Sequence, residues 1–231
     1  MRKIGLLGGM SWESTAEYYR LLNEGVRDAL GGLPSARIGL ASVDFAEVER
    51  MQVEGRWEDA GALLAAEARG LESAGAEVVL LCTNTMHKVA DDVASAVSIP
   101  LLHLADATAD AVTTDGLSTV GLLGTAFTME QDFYRGRLES HGLKVLIPDA
   151  ADRALVHGII YDELCMGRVE DASRDALLAV ARRLVVRGAQ GIVLGCTELE
   201  LLATPGSLGE IPLFPTTRLH VEAALRFALE L

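Results

Sequence analysis

The 231-residue chain carries one pattern written twice. Ile4-Gly5-Leu6-Leu7-Gly8-Gly9 returns as Val120-Gly121-Leu122-Leu123-Gly124-Thr125, at an offset of 116. Glu77-Val78-Val79-Leu80-Leu81-Cys82-Thr83 returns as Gly191-Ile192-Val193-Leu194-Gly195-Cys196-Thr197 at 114, and Ile99-Pro100-Leu101 as Ile211-Pro212-Leu213 at 112. Chance likeness between short apolar strands is the competing reading. Three matches in the same order at nearly one offset predict two copies of one unit.

Within each copy, short apolar runs alternate with helix-length segments. Strands are expected at 4–8, 37–43, 77–82 and 100–104, then at 119–123, 143–147, 191–195 and 211–214. Helices are expected at 12–30 (with Ser11 as N-cap), 57–74 (closed by Gly75) and 85–96. The second copy adds helices near 129–141, at 170–187 and from about 198. Unbroken apolar runs read as strands buried on both faces, and strand–helix alternation calls for parallel sheets with helices on both sides. The expected fold is α/β: two pseudo-symmetric Rossmann- or flavodoxin-like domains, spanning 1–105 plus about 210–231 and 106–209. Ligands of such sheets bind beyond the carboxyl ends of the strands. The active site is therefore expected in the interdomain cleft.

Charge narrows the chemistry. Twenty Lys and Arg against 33 Asp and Glu give a net charge of −13, which argues against nucleic acid and against an anionic membrane surface. No run of about 18 apolar residues spans a membrane, and Met1-Arg2-Lys3 leads into a strand rather than into a signal peptide. Three cysteines are too few for a disulfide scaffold. The expectation is a cytoplasmic protein acting on a small molecule.

Four expected strand ends carry the polar residues of interest: Gly9-Met10-Ser11-Trp12, Cys82-Thr83-Asn84-Thr85-Met86-His87, Gly124-Thr125 and Cys196-Thr197-Glu198. Helix N-termini beside them suit a carboxylate. Gly8-Gly9 has neither the G-x-G-x-x-G nor the G-x-x-x-x-G-K-[ST] spacing, so a nucleotide reading is refused. Cys82, His87 and Cys196 lack metal-ligand spacing, and no metal is expected. A strand-end cysteine is ordinarily core packing; two in equivalent halves favour catalysis, and a thiol at a helix N-terminus is expected to have a lowered pKa. His87, His103, His157 and His220 read as structural, and Trp12 and Trp57 as packing anchors.

Ile4 to Thr15, Thr83-Asn84-Thr85-Met86-His87 and Gly195-Cys196-Thr197-Glu198, with Gly124-Thr125 and Ile160-Tyr161-Asp162-Glu163-Leu164, resemble the aspartate/glutamate racemase family over the whole chain. The resemblance implies two similar α/β domains, a homodimer, and cofactor-independent inversion of an acidic amino acid by two side chains on opposite faces of Cα. Most members have Cys-Asn-Thr at the first site, where this chain has Thr83-Asn84-Thr85. The repeat aligns Cys82 with Cys196, whereas the family register puts Thr83 at the first catalytic position and turns Cys82 away. A Thr/Cys pair resembles the subgroup specific for L-aspartate and L-glutamate. It implies Cys196 as base on the L-face and Thr83 as donor on the other, with weak activity on D-substrates. By the same match Met10, Gln52, Thr83, Asn84, Thr85, Thr125, Thr197 and Glu198 would hold the amino acid. Some members place a lysine shortly before the glycine matching Gly167, to hold the side-chain carboxylate. Here that position is Cys165, leaving aspartate, glutamate and a neutral substrate open. Pro215-Thr216-Thr217 stands where the family often has Asp-Thr-Thr. Competing readings are another reaction of the superfamily (hydantoin racemisation, arylmalonate decarboxylation, maleate isomerisation) and a small-acid-binding protein lacking one catalytic group.

Overall fold

The structure, a computed structural model, describes residues 1–230. It divides into unit 1, Met1–Leu104 together with the chain from His220 onward, and unit 2, Ala105–Leu219. Unit 1 runs β1 (Ile4–Gly8), α1 (Trp12–Leu30), β2 (Ile38–Ser42), α2 (Phe45–Val53), α3 (Trp57–Ser73), β3 (Val78–Leu81), α4 (Ala90–Ser95) and β4 (Leu101–Leu102). Then come α5 (Leu104–Thr114), β5 (Thr119–Gly124), α6 (Ala126–Glu130), α7 (Asp132–Ser140), β6 (Lys144–Leu146) and α8 (Ala150–Gly158). The chain closes with α9 (Asp171–Val186), β7 (Gly191–Gly195), β8 (Leu213–Pro215) and α10 (Thr216–Leu229). The sheets are parallel, ordered β2-β1-β3-β4 and β6-β5-β7-β8. The repeat thus reappears as one topology built twice.

Both faces of the first sheet are buried, by alternation along the strands. Leu7, Val79 and Leu81 pack with Val48 and Met51 of α2 and Leu64 and Ala68 of α3. Ile4, Leu6, Val78, Leu80 and Cys82 pack with Tyr18 and Leu22 of α1 and with Val221 and Ala224 of α10. In unit 2, Leu123, Ile192 and Leu194 meet Leu177, Ala181 and Leu184 of α9, while Leu122 and Val193 are fully buried on the alternate positions. Removing one such leucine to alanine costs about 2–5 kcal/mol.

Several expected elements differ. The strand at 211–214 pairs in the second sheet and the chain returns to unit 1 at His220, beyond the expected boundary near 210. The segment expected as one helix over 85–96 opens as a 3-10 turn, Thr85–Val89, before α4, and the helix expected from about 198 is a 3-10 turn, Thr197–Leu201. Gln131, with extended backbone, splits the helix expected near 129–141 into α6 and α7. Trp12 is 68% exposed at the first position of α1 and anchors no core. Trp57 does pack against the α2–α3 cluster, with Lys88 Nζ 3.8 Å from its ring centre. Among the described residues no helix is long and apolar enough to cross a membrane.

Candidate active site

The two sheets resolve which residue of unit 1 corresponds to Cys196. Val78 and Leu81 lie opposite Ile4 and Leu7 in the first ladder. Gly191 and Leu194 lie opposite Val120 and Leu123, the repeat partners of Ile4 and Leu7, in the second. Two residues beyond Leu81 is Thr83, and two beyond Leu194 is Cys196. Thr83, not Cys82, is therefore the structural counterpart of Cys196. Cys82 continues the alternation of Val78 and Leu80 into the core, fully buried, and that burial pushes its thiol far above the ordinary value.

Hydrogen bonds fix the backbone around Thr83. Ser14 Oγ donates to the Cys82 carbonyl at 3.0 Å. The Leu104 N–H donates to His87 Nε2 at 3.2 Å, which leaves the ring proton on Nδ1, and Nδ1–H donates to the Thr83 carbonyl at 2.8 Å. Desolvation first, then the neighbouring His103 and His220 rings, hold His87 neutral far below its usual pKa. His220 is spent in the same way: Tyr18 Oη–H donates to Nδ1 and Nε2–H donates to the Leu102 carbonyl, both at 2.8 Å. Burial lowers its pKa to about 4. The structural reading of these two histidines fits their partners, and neither has a ring nitrogen left for substrate or metal.

Thr83, Asn84 and Thr85 are nearly buried at the start of the 3-10 turn, whose His87 N–H donates to the Asn84 carbonyl. Met10 is 5% exposed among Leu7, Val48, Met51 and Met86. Gln52, at the end of α2, donates its amide to Met86 Sδ at 3.0 Å, a weak acceptor. Gly8-Gly9 serves close packing: a Cβ on Gly9 would lie 2.2 Å from the Val43 carbonyl oxygen, and one on Gly8 would collide with Thr15. Gly9 also has φ +90°, and its N–H donates to Thr15 Oγ1.

In unit 2, Gly124 and Gly195 are ladder partners, so Thr125 and Cys196 leave the sheet side by side. Thr125 caps α6, its Oγ1 accepting from the Thr128 N–H. Cys196 Sγ–H donates to Glu198 Oε2 at 2.9 Å. Burial, then the Glu198 carboxylate, raise the Cys196 thiol well above its ordinary value. The expected low-pKa thiolate is thus corrected to a protonated thiol. A five-residue 3-10 turn offers little dipole, and a carboxylate on the sulfur opposes ionisation. Thr217 Oγ1 donates to Thr197 Oγ1 at 3.2 Å, and Thr216 Oγ1 to the Leu194 carbonyl at 2.9 Å. These two bonds account for the Thr-Thr pair after Pro215, which sequence reading left without a role. Sequence reading also missed α2, which carries Gln52, and the segment 150–166 of α8, a π turn (Ile159–Glu163) and a 3-10 turn. Tyr161 and Cys165 of that segment pack on the same cluster as Cys196. A cavity of about 310 Å³ lies against β8 and the Glu200–Arg218 ion pair; no expected site residue lines it. Among the described residues no three His, Cys, Asp or Glu side chains cluster as a metal site.

The family model for Asp/Glu/Hydantoin racemase matches residues 7–224. The crystal structure of a candidate Asp/Glu racemase from Yersinia pestis is 53% identical, covers 99% of this chain and 100% of its own, and superposes with a TM-score of 0.94. An aspartate racemase homologue from Pyrococcus horikoshii OT3 is 32% identical over 99% of this chain and 100% of its own, with a TM-score of 0.89. Picrophilus torridus aspartate racemase, 21% identical over 100% of this chain and 95% of its own, shares the fold at a TM-score of 0.76. With two matching α/β units and a family model that runs through both, this chain belongs to the Asp/Glu/hydantoin racemase family.

Proposed function

We propose that the protein is a cofactor-independent racemase of an acidic amino acid, preferring L-aspartate or L-glutamate. Cys196 is the base on the L-face and Thr83 the proton donor on the opposite face. The observation that carries this reading is the ladder equivalence of positions 83 and 196, which puts a hydroxyl and a thiol at matching strand ends of the two copies. The thiol also has a base in contact, Glu198.

The reaction then runs in three proton transfers at the thiol and the substrate, followed by an exchange with water that resets the site. Cys196 Sγ–H passes its proton to Glu198 Oε2. The thiolate takes the α-proton of the L-amino acid, and the electron pair of that C–H bond spreads onto the α-carboxylate. Thr83 Oγ1–H protonates Cα from the other face; its oxygen then regains a proton from water, and Glu198 returns the proton it took to the hydroxide this leaves, which resets both groups. The middle transfer forms a carbanion, so fixed donors at the α-carboxylate matter most; Asn84, Thr85, Thr125 and Thr197 are the residues proposed for that work. Gln52 exchanges a thioether for a substrate oxygen, and Met10 walls the site.

The Thr/Cys asymmetry has a definite kinetic form. Enantiomers are equal in free energy, so kcat/KM for inversion must be the same in both directions. The poor basicity of threonine appears instead in isotope exchange. In D₂O, proton NMR should show the α-proton of L-aspartate or L-glutamate washing out faster than the D-enantiomer accumulates, with slow washout from the D-enantiomer. Cys196→Ser should abolish both. Undiminished exchange in Cys196→Ser, or no exchange from any acidic amino acid, overturns the proposal.

A further inference from the structure

One side chain at the carboxyl end of the second sheet points to a ligand and has no part in the scheme above. His157 sits in the last turn of α8, and its Nδ1 accepts the N–H of Ala126 at 3.3 Å. Ala126 is the first residue of α6, directly after the cap Thr125, and Thr125 leaves the sheet beside Cys196. An amide N–H can only donate, so Nδ1 holds a lone pair and the imidazole proton is on Nε2. Nothing among the described residues accepts from that Nε2–H. The Tyr161 ring lies against the imidazole, tilted by 43° with centroids 4.6 Å apart, and together with the Ala126 bond limits how it can turn. Tyr161 lies in the π turn, a distortion often found at functional sites. His157 and Tyr161 are both half-buried, and Tyr161, Cys165 and Cys196 pack against one apolar cluster.

A half-buried N–H with restricted orientation, one strand over from the reacting thiol, suits an oxygen anion. On the scheme above, Thr125 and Thr197, which leave adjacent strands next to Cys196, are assigned to the α-carboxylate. Resting on that reading of the site, we propose that His157 is a specificity-determining residue whose Nε2–H receives the side-chain carboxylate of the substrate. Nδ1 is occupied by Ala126, so Nε2–H is the one donor the ring can offer and recognition depends on its direction. The ligand class is a short dicarboxylate with an α-amino group, as opposed to a neutral amino acid.

Two substitutions separate recognition from structure. His157→Asn places an acceptor oxygen where Nδ1 stands and deletes the distal donor; His157→Gln deletes the Nδ1 acceptor and can place an N–H near Nε2. The measurement is calorimetric binding of succinate and glutarate against propionate and butyrate, alongside α-proton exchange of L-aspartate. The wild-type protein should prefer the dicarboxylates. His157→Asn should reduce that preference about ten- to a hundredfold, as expected for losing one hydrogen bond to a charged group, while His157→Gln retains most of it. No dicarboxylate preference in the wild type, or a preference lost in His157→Gln and kept in His157→Asn, overturns the proposal. Preference without α-proton exchange would sink the racemase reading alone, since binding is read independently of turnover.

Discussion

At the scale of single residues, the contact between Cys196 and Glu198 works against ionisation of the thiol and, in the proposed scheme, for its deprotonation. The carboxylate raises the thiol's pKa and is also the group proposed to receive its proton. Glu198→Gln should therefore shift the pH midpoint of Cys196 alkylation by iodoacetamide downward while slowing α-proton exchange; peptide mass spectrometry distinguishes Cys196 from half-buried Cys165. Both rates falling together would mean that Glu198 matters only for integrity. Thr83→Cys should make the two faces chemically alike. Washout from D-aspartate should then rise towards that from the L-form, checked by the same NMR experiment. The pairing of positions 83 and 196 was legible in sequence only through the family register, because the repeat by itself aligned Cys82 with Cys196. The sequence match sets this strand at an offset of 114, and the ladder partners Leu81 and Leu194 set it at 113, so only the ladders show the one-residue slip. The raised thiol pKa was not legible at all. It depends on a 3-10 turn that folds Glu198 back onto the sulfur and on burial that no local pattern encodes.

Elements explain why the strand ends are held so firmly. Three carbonyls near positions 83 and 196 are taken by side chains: that of Cys82 by Ser14, that of Thr83 by His87 and that of Leu194 by Thr216. His87→Phe would leave the Thr83 carbonyl and the Leu104 N–H without their partner, two buried polar groups at about 1–3 kcal/mol each. Chemical denaturation should register a loss of about 2–6 kcal/mol. A value near zero would show that the 3-10 turn rearranges. The strands and long helices could be read from the chain because unbroken apolar runs such as Val78–Leu81 and the Ala- and Leu-rich α3 have distinct signatures. The segment 150–166 could not, since α, π and 3-10 turns follow one another there and no single period survives. The roles of His87 and Thr216 escaped for a different reason. Their partners are main-chain atoms, which carry no mark in sequence.

For the molecule as a whole, buried neutral histidine sets a limit at low pH. His220 titrates near pH 4 when folded and near 6.5 when unfolded, so the unfolded chain binds more protons between those values. Stability is complete above pH 6.5 and falls as pH drops towards 4, by about 3 kcal/mol from this group. Urea titrations from pH 7.5 to 4 should show that decline, and a flat profile would mean that the Tyr18–His220 pair opens without unfolding. α10 has a further consequence. It begins on Thr216 and Thr217, tied to β7 and to the Thr197 turn, and continues through His220, Val221 and Ala224 into the core beneath β1. As the chain leaves the ribosome, residues 105–219 can complete their own sheet while the opening hundred or so still wait for their last helix. The lobe that is translated first is thus the lobe that is finished last, and in the interval its sheet lies open to chaperones, or to the same sheet of another nascent chain.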